Sequence, residues 1–592
     1  MTIPYVLVTT PARRLRSRIA YRARDFKTAD ILLRSLCKSP FASRSDHQRR
    51  LTALHHLGQS DLVARYSRFV AHLGASGHAR PYNVAHRLWA CGNYTAALKL
   101  LGSPKGWQRN KQSAQLAFAC LTALRRYPDA SRILDLKWKK PLKGAVADRV
   151  RKVVRYMDRA KIEAPGDADV TPAVVAHWLA RKDDRQRLTY SPVAGRVMIY
   201  VHSLAIGGAE RQAKNLIESL CADDTVSAVH LLMKKPDTEH QYDVKAPAGK
   251  FVRHDFGSMP GGIPSPWRGQ ALMEDVWSLS DALGLSSLPN IVAAIHEVRP
   301  EVVHARAGLH AEVVLAAILT NVPRIVVHFG SMSRGQQSHG TDAAVLREKM
   351  VENVIAQCAA FPQLALVANS RAAADDWALE CGLPKERIGV IYNAIDPEDI
   401  GFSAPVTLKV IKPEAPRVVG GVFRLAPVKD PLLWVKVAAR VDAAIPGTRF
   451  LLVGDGPMRP AVQQAIAAAG LENRFEMPGF ITKNLIDYLT QMDIFLLTTR
   501  TESLPNAVIE AQLAGLPVIA PDVGGIREAV ADDSTAMLIE RDADALARAV
   551  VKGLQDERWL ADVRARAPGL ITRRFSRETL LQSTKSAYGW IS

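Results

Sequence analysis

Apolar and polar positions along the 592-residue chain follow two regimes. Up to about residue 150 the apolar positions recur at helical spacing, with no alternating stretch. From about residue 195 short apolar runs the size of buried strands take over, at 197–201, 226–233, 302–305, 325–328, 364–368 and 388–391. Helical segments separate several of them, which predicts an α/β domain with a mainly parallel sheet. A second such domain starts near Arg417, with runs at 418–423, 450–453, 493–497 and 518–520. Between the regimes, Pro165-Gly166, Asp183-Asp184 and Pro192 loosen the pattern, and a linker or bridging helix is expected. Residues 234–290, with Pro260, Pro264 and Pro266, fit the α/β pattern least and read as a variable insertion. The chain closes on a helix near 580–590. The expected divisions are helical 1–160, linker 161–194, first α/β domain 195–400, second 401–575, and a final helix 576–592.

The helical third repeats weakly. Leu57-Gly58-Gln59-Ser60 is matched by Cys91-Gly92-Asn93-Tyr94, about 34 residues on. Phe26 and Ala29 precede Tyr94 and Ala97 by twice that period, and Tyr127 and Ala130 follow by one. A period near 34 with small residues at helix crossings resembles the tetratricopeptide repeat. An irregular helical bundle is the alternative, and either would offer a partner a concave surface.

Chemistry concentrates between Arg500 and Val530. A buried run at 493–497 enters a polar turn. Pro505 then suits the first turn of a helix, where its missing N–H costs nothing. Ala507, Val508, Ala511 and Ala514 recur at helical spacing, and Gly515 with Pro517 suits the stop. A further strand follows at 518–520, and Gly524-Gly525 opens another helix. Both loops then lie on the C-terminal edge of a parallel sheet, where such sheets bind ligands. Glu502 sits in the first loop, and Glu510 lies eight residues on, in the helix. Free amides between Ser503 and Asn506, at Ser503, Leu504 and Asn506, suit a phosphate. Two hydroxyl-seeking carboxylates around an anion-binding helix start describe a nucleotide-sugar site; two solvated glutamates are the plainer reading.

The stretch is similar to the E-x7-E motif of the family-four retaining glycosyltransferases. Leu504-Pro505-Asn506, Ala514-Gly515-Leu516-Pro517 and Asp522-Val523-Gly524-Gly525 extend the match. The resemblance covers residues 195–592 and implies a GT-B fold, two Rossmann-like domains facing across a cleft. It gives Glu502 the donor-sugar hydroxyls and Glu510 the ribose. Gly207-Gly208, between a strand and a helix, resembles the family's glycine loop near the donor diphosphate. His328 matches the histidine that faces the reacting sugar. Asn369-Ser370 and Asn393-Ala394-Ile395-Asp396 resemble the end of the first domain. Arg424 and Lys429 resemble the pair that neutralises the donor phosphates, with Val428 where an acid is usual. Gly454, Gly479 and Phe480 would meet the base.

The implied activity is transfer of a UDP- or GDP-linked sugar, with retention and without a metal or cofactor, to a glycan or lipid-linked glycan. Residues 234–290 would shape the acceptor side. The alternatives are a non-catalytic scaffold, or another GT-B enzyme, an epimerase or phosphorylase. Asp167-Ala168-Asp169 and Asp542-Ala543-Asp544 have the D-x-D shape of metal-dependent transferases, but neither follows a buried strand, and both are rejected as metal sites.

Charge adds a partner. The first 190 residues hold 37 Lys and Arg against 13 Asp and Glu, so they carry all the surplus of a chain with net charge +20. An anionic membrane surface, an anionic glycan or a protein partner is expected there, and not a nucleic acid. The six cysteines include no C-x-x-C pair, and there is no apolar run of 18 residues. These features predict a cytoplasmic chain, docked peripherally at the inner membrane face.

Overall fold

A computed structural model describes residues 81–102, 110–136, 142–163, 168–205, 207–234, 241–256, 262–306, 310–333, 342–401, 416–481 and 483–591, with Arg50 and Met259. Phe26, Ala29 and Leu57 to Ser60 of the repeat pattern lie outside the described residues. The chain divides into two compact units. One comprises Met1–Leu188, Gly262–Pro289 and Arg334–Gln357; the other Thr189–Gly261, Asn290–Ser333 and Cys358–Ser592.

Among the described residues, the first unit is helical. Pro81–Ala90, Tyr94–Leu101, Lys111–Ala123, Tyr127–Leu134 and Ala145–Ala160 are helices, and each packs on the next. Two of the turns match. Gly92 and Arg125 both take positive φ, at 75° and 55°, and Tyr94 and Tyr127 open the following helices. Ala97 and Ala130, three residues into each, are fully buried. The stretch expected to be a linker or bridging helix holds helices Thr171–Ala180 and Lys182–Gln186. Val174, Val175 and Trp178 bury the face that drives the first of these; flanking proline, glycine and aspartate hid it in the sequence.

The expected insertion at 234–290 is two different things. Phe251–Asp255 is an edge strand of the sheet, and its arginine, histidine and aspartate follow from an edge strand being half solvated. Gly262–Pro289 belongs to the helical unit. There Thr171 donates to the carbonyl of Leu283 at 3.2 Å, the Tyr127 hydroxyl to that of Ala282, and Asp275 pairs with Arg181 at 2.6 Å. The helix Asp342–Cys358 joins the same unit: the Asp342 amide donates to the Gly92 carbonyl at 3.0 Å, and its carboxylate accepts from the Thr95 amide at 2.6 Å.

The second unit holds two doubly wound domains. Among the described residues, the first sheet has seven parallel strands: β1 (Val193–Val201), β2 (Ala228–Met233), β3 (Phe251–Asp255), β4 (Pro300–Ala305), β5 (Arg324–Phe329), β6 (Leu364–Ala368) and β7 (Ile388–Val390), in the order β3-β2-β1-β4-β5-β6-β7. The second has six: β8 (Val418–Val422), β9 (Arg449–Val453), β10 (Phe475–Gly479), β11 (Ile494–Leu496), β12 (Val518–Pro521) and β13 (Ala536–Ile539), in the order β10-β9-β8-β11-β12-β13. In each, the order reverses beside the first strand. The crevice at that reversal, outside the strands' C-terminal ends, is where such sheets bind ligands. The last helix, Arg577–Tyr588, packs on the first domain, burying Leu580 and Tyr588 with Val197, Val302 and Val326. Lys585 to Asp223 at 2.8 Å and Arg577 to Asp396 at 3.2 Å fix it there.

Candidate active site

A cavity of about 410 Å³ lies between the two α/β domains, walled by loops at the C-terminal ends of both sheets. That volume suits a small organic ligand. From the first domain come His202 after β1, Gly207, Gly208 and Arg211 at the start of the helix Gly208–Ala222, and Arg306 and Gly330 after β4 and β5. The second contributes Arg424, Lys429, Phe480, Glu502, Leu504, Pro505, Asn506 and Glu510.

Local structure aims the acids. The helix Asn506–Leu513 starts just after Pro505, which puts Glu510 in its second turn, 4% exposed. Glu502 stands in the preceding loop, whose position is fixed by the turn at Gly524-Gly525. The Gly525 amide donates to the Glu502 carbonyl at 2.9 Å. Gly524 takes φ +55°, and a Cβ on it would lie 2.1 Å from that same oxygen. Only glycine allows this approach. Among the described residues, no acceptor bonds the amides of Ser503, Leu504 or Asn506, which leaves donors at the helix start free for an anion.

The bases face these acids. Lys429 pairs with Glu502, and Arg211 reaches from the first domain to pair with Glu510. Arg424 is exposed on the cavity wall. Its loop is bonded to the end of β9 by Phe423 to Val453 and Leu425 to Asp455, at 3.1 and 3.0 Å. Gly454 is what lets that loop come close, since a Cβ there would sit 2.1 Å from the Phe423 carbonyl. Lys429 is held by its backbone. Thr498 Oγ1 donates to the Lys429 carbonyl at 3.2 Å, and Thr499 Oγ1 to that of Val428 at 3.0 Å. The following residue, Asp430, has φ 48° and pairs with Arg500 at 2.7 Å and with Arg541. The acid beside the lysine thus lies after it, braced by two arginines.

The predicted residues do not all converge. Gly207, Gly208, Arg424, Lys429, Phe480, Glu502, Leu504, Pro505 and Glu510 line one cavity. Gly454, Gly479 and Ser503 stand just behind its wall: the Gly454 amide donates to Gly479 at 2.8 Å, and Ser503 bonds Asn369. His328 stands apart from the cavity. It is not among the lining residues and is only 1% exposed. Strand parity is the reason: His328 shares a face with Val326, toward the final helix. Its ring stacks on His304 at 5.7 Å, and His304 bonds the Tyr588 hydroxyl at 2.9 Å. Burial, and then the neighbouring charge of Arg306, drives the His328 pKa well below its ordinary value, so the ring is neutral. Gly330, two residues on, is what β5 offers the cavity.

The sequence pattern does not single out every residue that shapes the site. Asn506 accepts from Asn393 Nδ2 at 2.9 Å and donates to the Gly208 carbonyl at 3.3 Å, tying the helix Asn506–Leu513 to both ends of the first domain. Glu528 accepts from the amides of Arg371 and Ala372, at 2.6 and 2.9 Å, at a helix start. Arg211 and Arg306 had one available signal, a charged residue at the ligand edge of an apolar strand or helix. Asp542 caps a helix, accepting from the amides of Asp544 and Ala545, and Asp169 pairs with Arg125 at 3.1 Å. Asp167 lies outside the described residues.

Residues 206–399 match the family model described as Glycosyltransferase Family 4, and residues 416–556 the one described as Glycosyl transferases group 1. The chain is 29% identical over 238 residues to the Vi polysaccharide biosynthesis protein VipC/TviE of Salmonella typhi, covering 38% of this chain and 39% of that protein. It is 35% identical over 204 residues to the 2-deoxystreptamine glucosyltransferase of Streptomyces kanamyceticus, covering 31% and 52%. The matches thus span about two-fifths to half of these relatives' length. Among solved structures, Anabaena HepE in complex with UDP aligns with a TM-score of 0.50 at 19% identity, covering 67% of this chain and 100% of that one. Sucrose-phosphate synthase of Thermosynechococcus elongatus gives 0.50 at 17%, covering 67% and 98%. At these identities the likeness is one of fold, and the fold is GT-B.

Proposed function

We propose that the chain moves a sugar from a nucleotide-sugar donor to a glycan or lipid-linked glycan, with retention, in polysaccharide or surface-glycan biosynthesis. One observation carries this reading: Glu502, Glu510, Arg424, Lys429 and the free amides before Asn506 converge on one cavity between two Rossmann-like domains. Related transferases and the UDP complex of Anabaena HepE agree with it, and favour a UDP-linked donor.

Glu510 is the ribose ligand and Glu502 the sugar ligand, and each first exchanges a basic partner for hydroxyls. Phe480, 59% exposed on the cavity wall, offers its ring to the base. As the bond from the anomeric carbon to the diphosphate breaks, the leaving oxygen gains charge. Arg424, Lys429 and the helix-start amides stabilise that charge. The acceptor hydroxyl attacks from the face the phosphate leaves, and its proton passes to that phosphate. Water must be kept out, because hydrolysis competes. The side-chain cations supply the charge that a metal supplies in other transferases, so no metal is required.

We read the N-terminal helices as tetratricopeptide-like and their basic surface as a peripheral dock on anionic lipid. Among the described residues no helix is long and apolar enough to cross a membrane.

The deciding experiment is donor hydrolysis and UDP binding across a panel of nucleotide sugars, with excess EDTA. One donor should be turned over at a rate EDTA leaves unchanged. Activity lost to EDTA and restored by manganese would overturn the phosphate-clamp assignment. A chain that binds no nucleotide is a scaffold.

A further inference from the structure

Arg306 directly follows β4 on the ligand edge of the first sheet and forms part of the cavity wall. It is 7% exposed, and its Nη1 is buried with no hydrogen-bond partner among the described residues. Burial lowers its pKa to about 10, with only the Tyr588 phenol opposing, so it stays cationic at neutral pH.

Its surroundings do not neutralise it. His304, His310 and His328 are close enough to influence one another's protonation, and burial holds all three below their ordinary range. Among the described residues, Nε2 of His304 and Nε2 of His310 also lack hydrogen-bond partners. The other cations lining the cavity are provided for. Arg211 and Lys429 have Glu510 and Glu502, while Arg424 and Lys483 are exposed to water. Arg306 alone among them is both buried and without an acid among the described residues. A buried charge without a counter-ion is costly and is ordinarily met by one. Here the open side is the cavity.

We propose that Arg306 receives a second oxyanion, a carboxylate or phosphate on the transferred sugar or on the acceptor, separate from the donor diphosphate. The inference rests on the transferase reading and adds to it that one sugar substrate is charged. The diphosphate already has Arg424, Lys429 and the helix-start amides, all on the second domain, whereas Arg306 is on the wall of the first. A planar guanidinium suits either oxyanion, through two parallel N–H bonds.

Calorimetry on the full chain tests this, with R306M and R306K variants matched to the wild type in circular dichroism and Tm. UDP-glucuronate binding at least tenfold tighter than UDP-glucose, with the preference abolished by R306M and partly kept by R306K, assigns the oxyanion to the transferred sugar. If instead glucuronate or glucose 6-phosphate binds the UDP-saturated protein at least tenfold tighter than glucose, with the same loss, it belongs to the acceptor. Two results overturn the proposal. In one, the variants weaken UDP itself tenfold, which puts Arg306 in the diphosphate clamp. In the other, wild-type protein shows no preference for any of the charged sugars. Should R306M not fold, R306K and the wild-type preferences still decide. A wild-type chain that binds no UDP refutes the transferase reading, and glucuronate or glucose 6-phosphate binding to that chain still reports on Arg306.

Discussion

Glu502 and Glu510 lie eight residues apart and are each neutralised by a base, yet the two bases have different work to do. Arg211 comes from the opposite domain and, on the proposed transferase reading, would leave Glu510 when a ribose takes its place. Lys429 shares its loop region with Arg424 and, on the same reading, would turn to the phosphate when Glu502 takes the sugar. A ribose contact acts alike in ground and transition states, so Glu510→Ala should mainly raise the donor KM, by about 10- to 100-fold. Lys429→Ala should mainly lower kcat, by about 10²- to 10³-fold, because its partner gains charge during reaction. Steady-state kinetics with both variants checks this, and the reverse pattern would undo the division of roles. Glu210, on the same cavity wall, makes a pH prediction. Burial raises its carboxyl above the ordinary glutamate range. The folded chain therefore keeps a proton there that the unfolded chain has released. The associated stability is complete below the ordinary glutamate pKa and is lost as pH rises through the raised value. Glu210→Gln should raise Tm at pH 8, and the gain should shrink toward zero near about pH 4. An equal gain at both pH values would remove titration as the cause. At this scale the meeting of Glu502, Glu510, Arg424, Lys429 and the glycine loop on one cavity was legible because loop position follows from strand and helix pattern. His328 was not, because a strand-end residue can face either side and one residue of register decides which. Nor was Arg306, which stands out because no acid among the described residues pairs with it, a fact no local pattern carries.

The element that most controls the site is the turn at Gly524-Gly525. It touches no cavity space itself, yet its backbone meets the loop of Glu502 and Ser503 at distances no side chain would permit. Gly524→Ala would combine a positive φ with a direct clash against the Glu502 carbonyl. The cost should be about 1 to 3 kcal/mol, and part of it should appear as displacement of Glu502. The variant should therefore lose at least tenfold in donor affinity while still unfolding cooperatively. Calorimetry with UDP alongside thermal melts measures both. Normal affinity with a lowered Tm would show that the turn serves stability alone. Strand and helix existence was largely readable, since fully buried parallel strands are continuous apolar runs. What escaped was polar for a physical reason. β3 is an edge strand carrying Arg253, His254 and Asp255. The helix Thr171–Ala180 sat among turn-forming residues that broke its periodicity.

At the scale of the whole chain, the helical unit is not a detachable N-terminal third. It recruits Gly262–Pro289 and Arg334–Gln357 from within the stretch that also builds the first α/β domain. Sequence order could not reveal this, because those segments have helical spacing but no local sign of which core they join. The consequence bears on how membrane docking is tested. A chain cut at residue 190 would leave Ala282 and Leu283 without Tyr127 and Thr171, and Asp275 without Arg181. Its behaviour with vesicles would then report exposed core rather than lost charge. Charge reversal in the intact chain avoids the problem. On the helix Ala145–Ala160, Lys152 and Arg155 are exposed three residues apart on one face. Neither side chain is needed by the core, so K152E/R155E should fold with unchanged Tm. Each base near an anionic surface contributes about 1 kcal/mol, so losing two should weaken binding roughly thirtyfold, and reversal by more. Sedimentation with phosphatidylserine-containing vesicles at low salt should pellet the wild type, with the bound fraction falling as salt rises. Neutral vesicles should leave it in solution, and the double variant should stay behind with either. If the wild type ignores anionic vesicles at low salt, lipid docking is wrong, and the basic surface must meet a glycan or a protein.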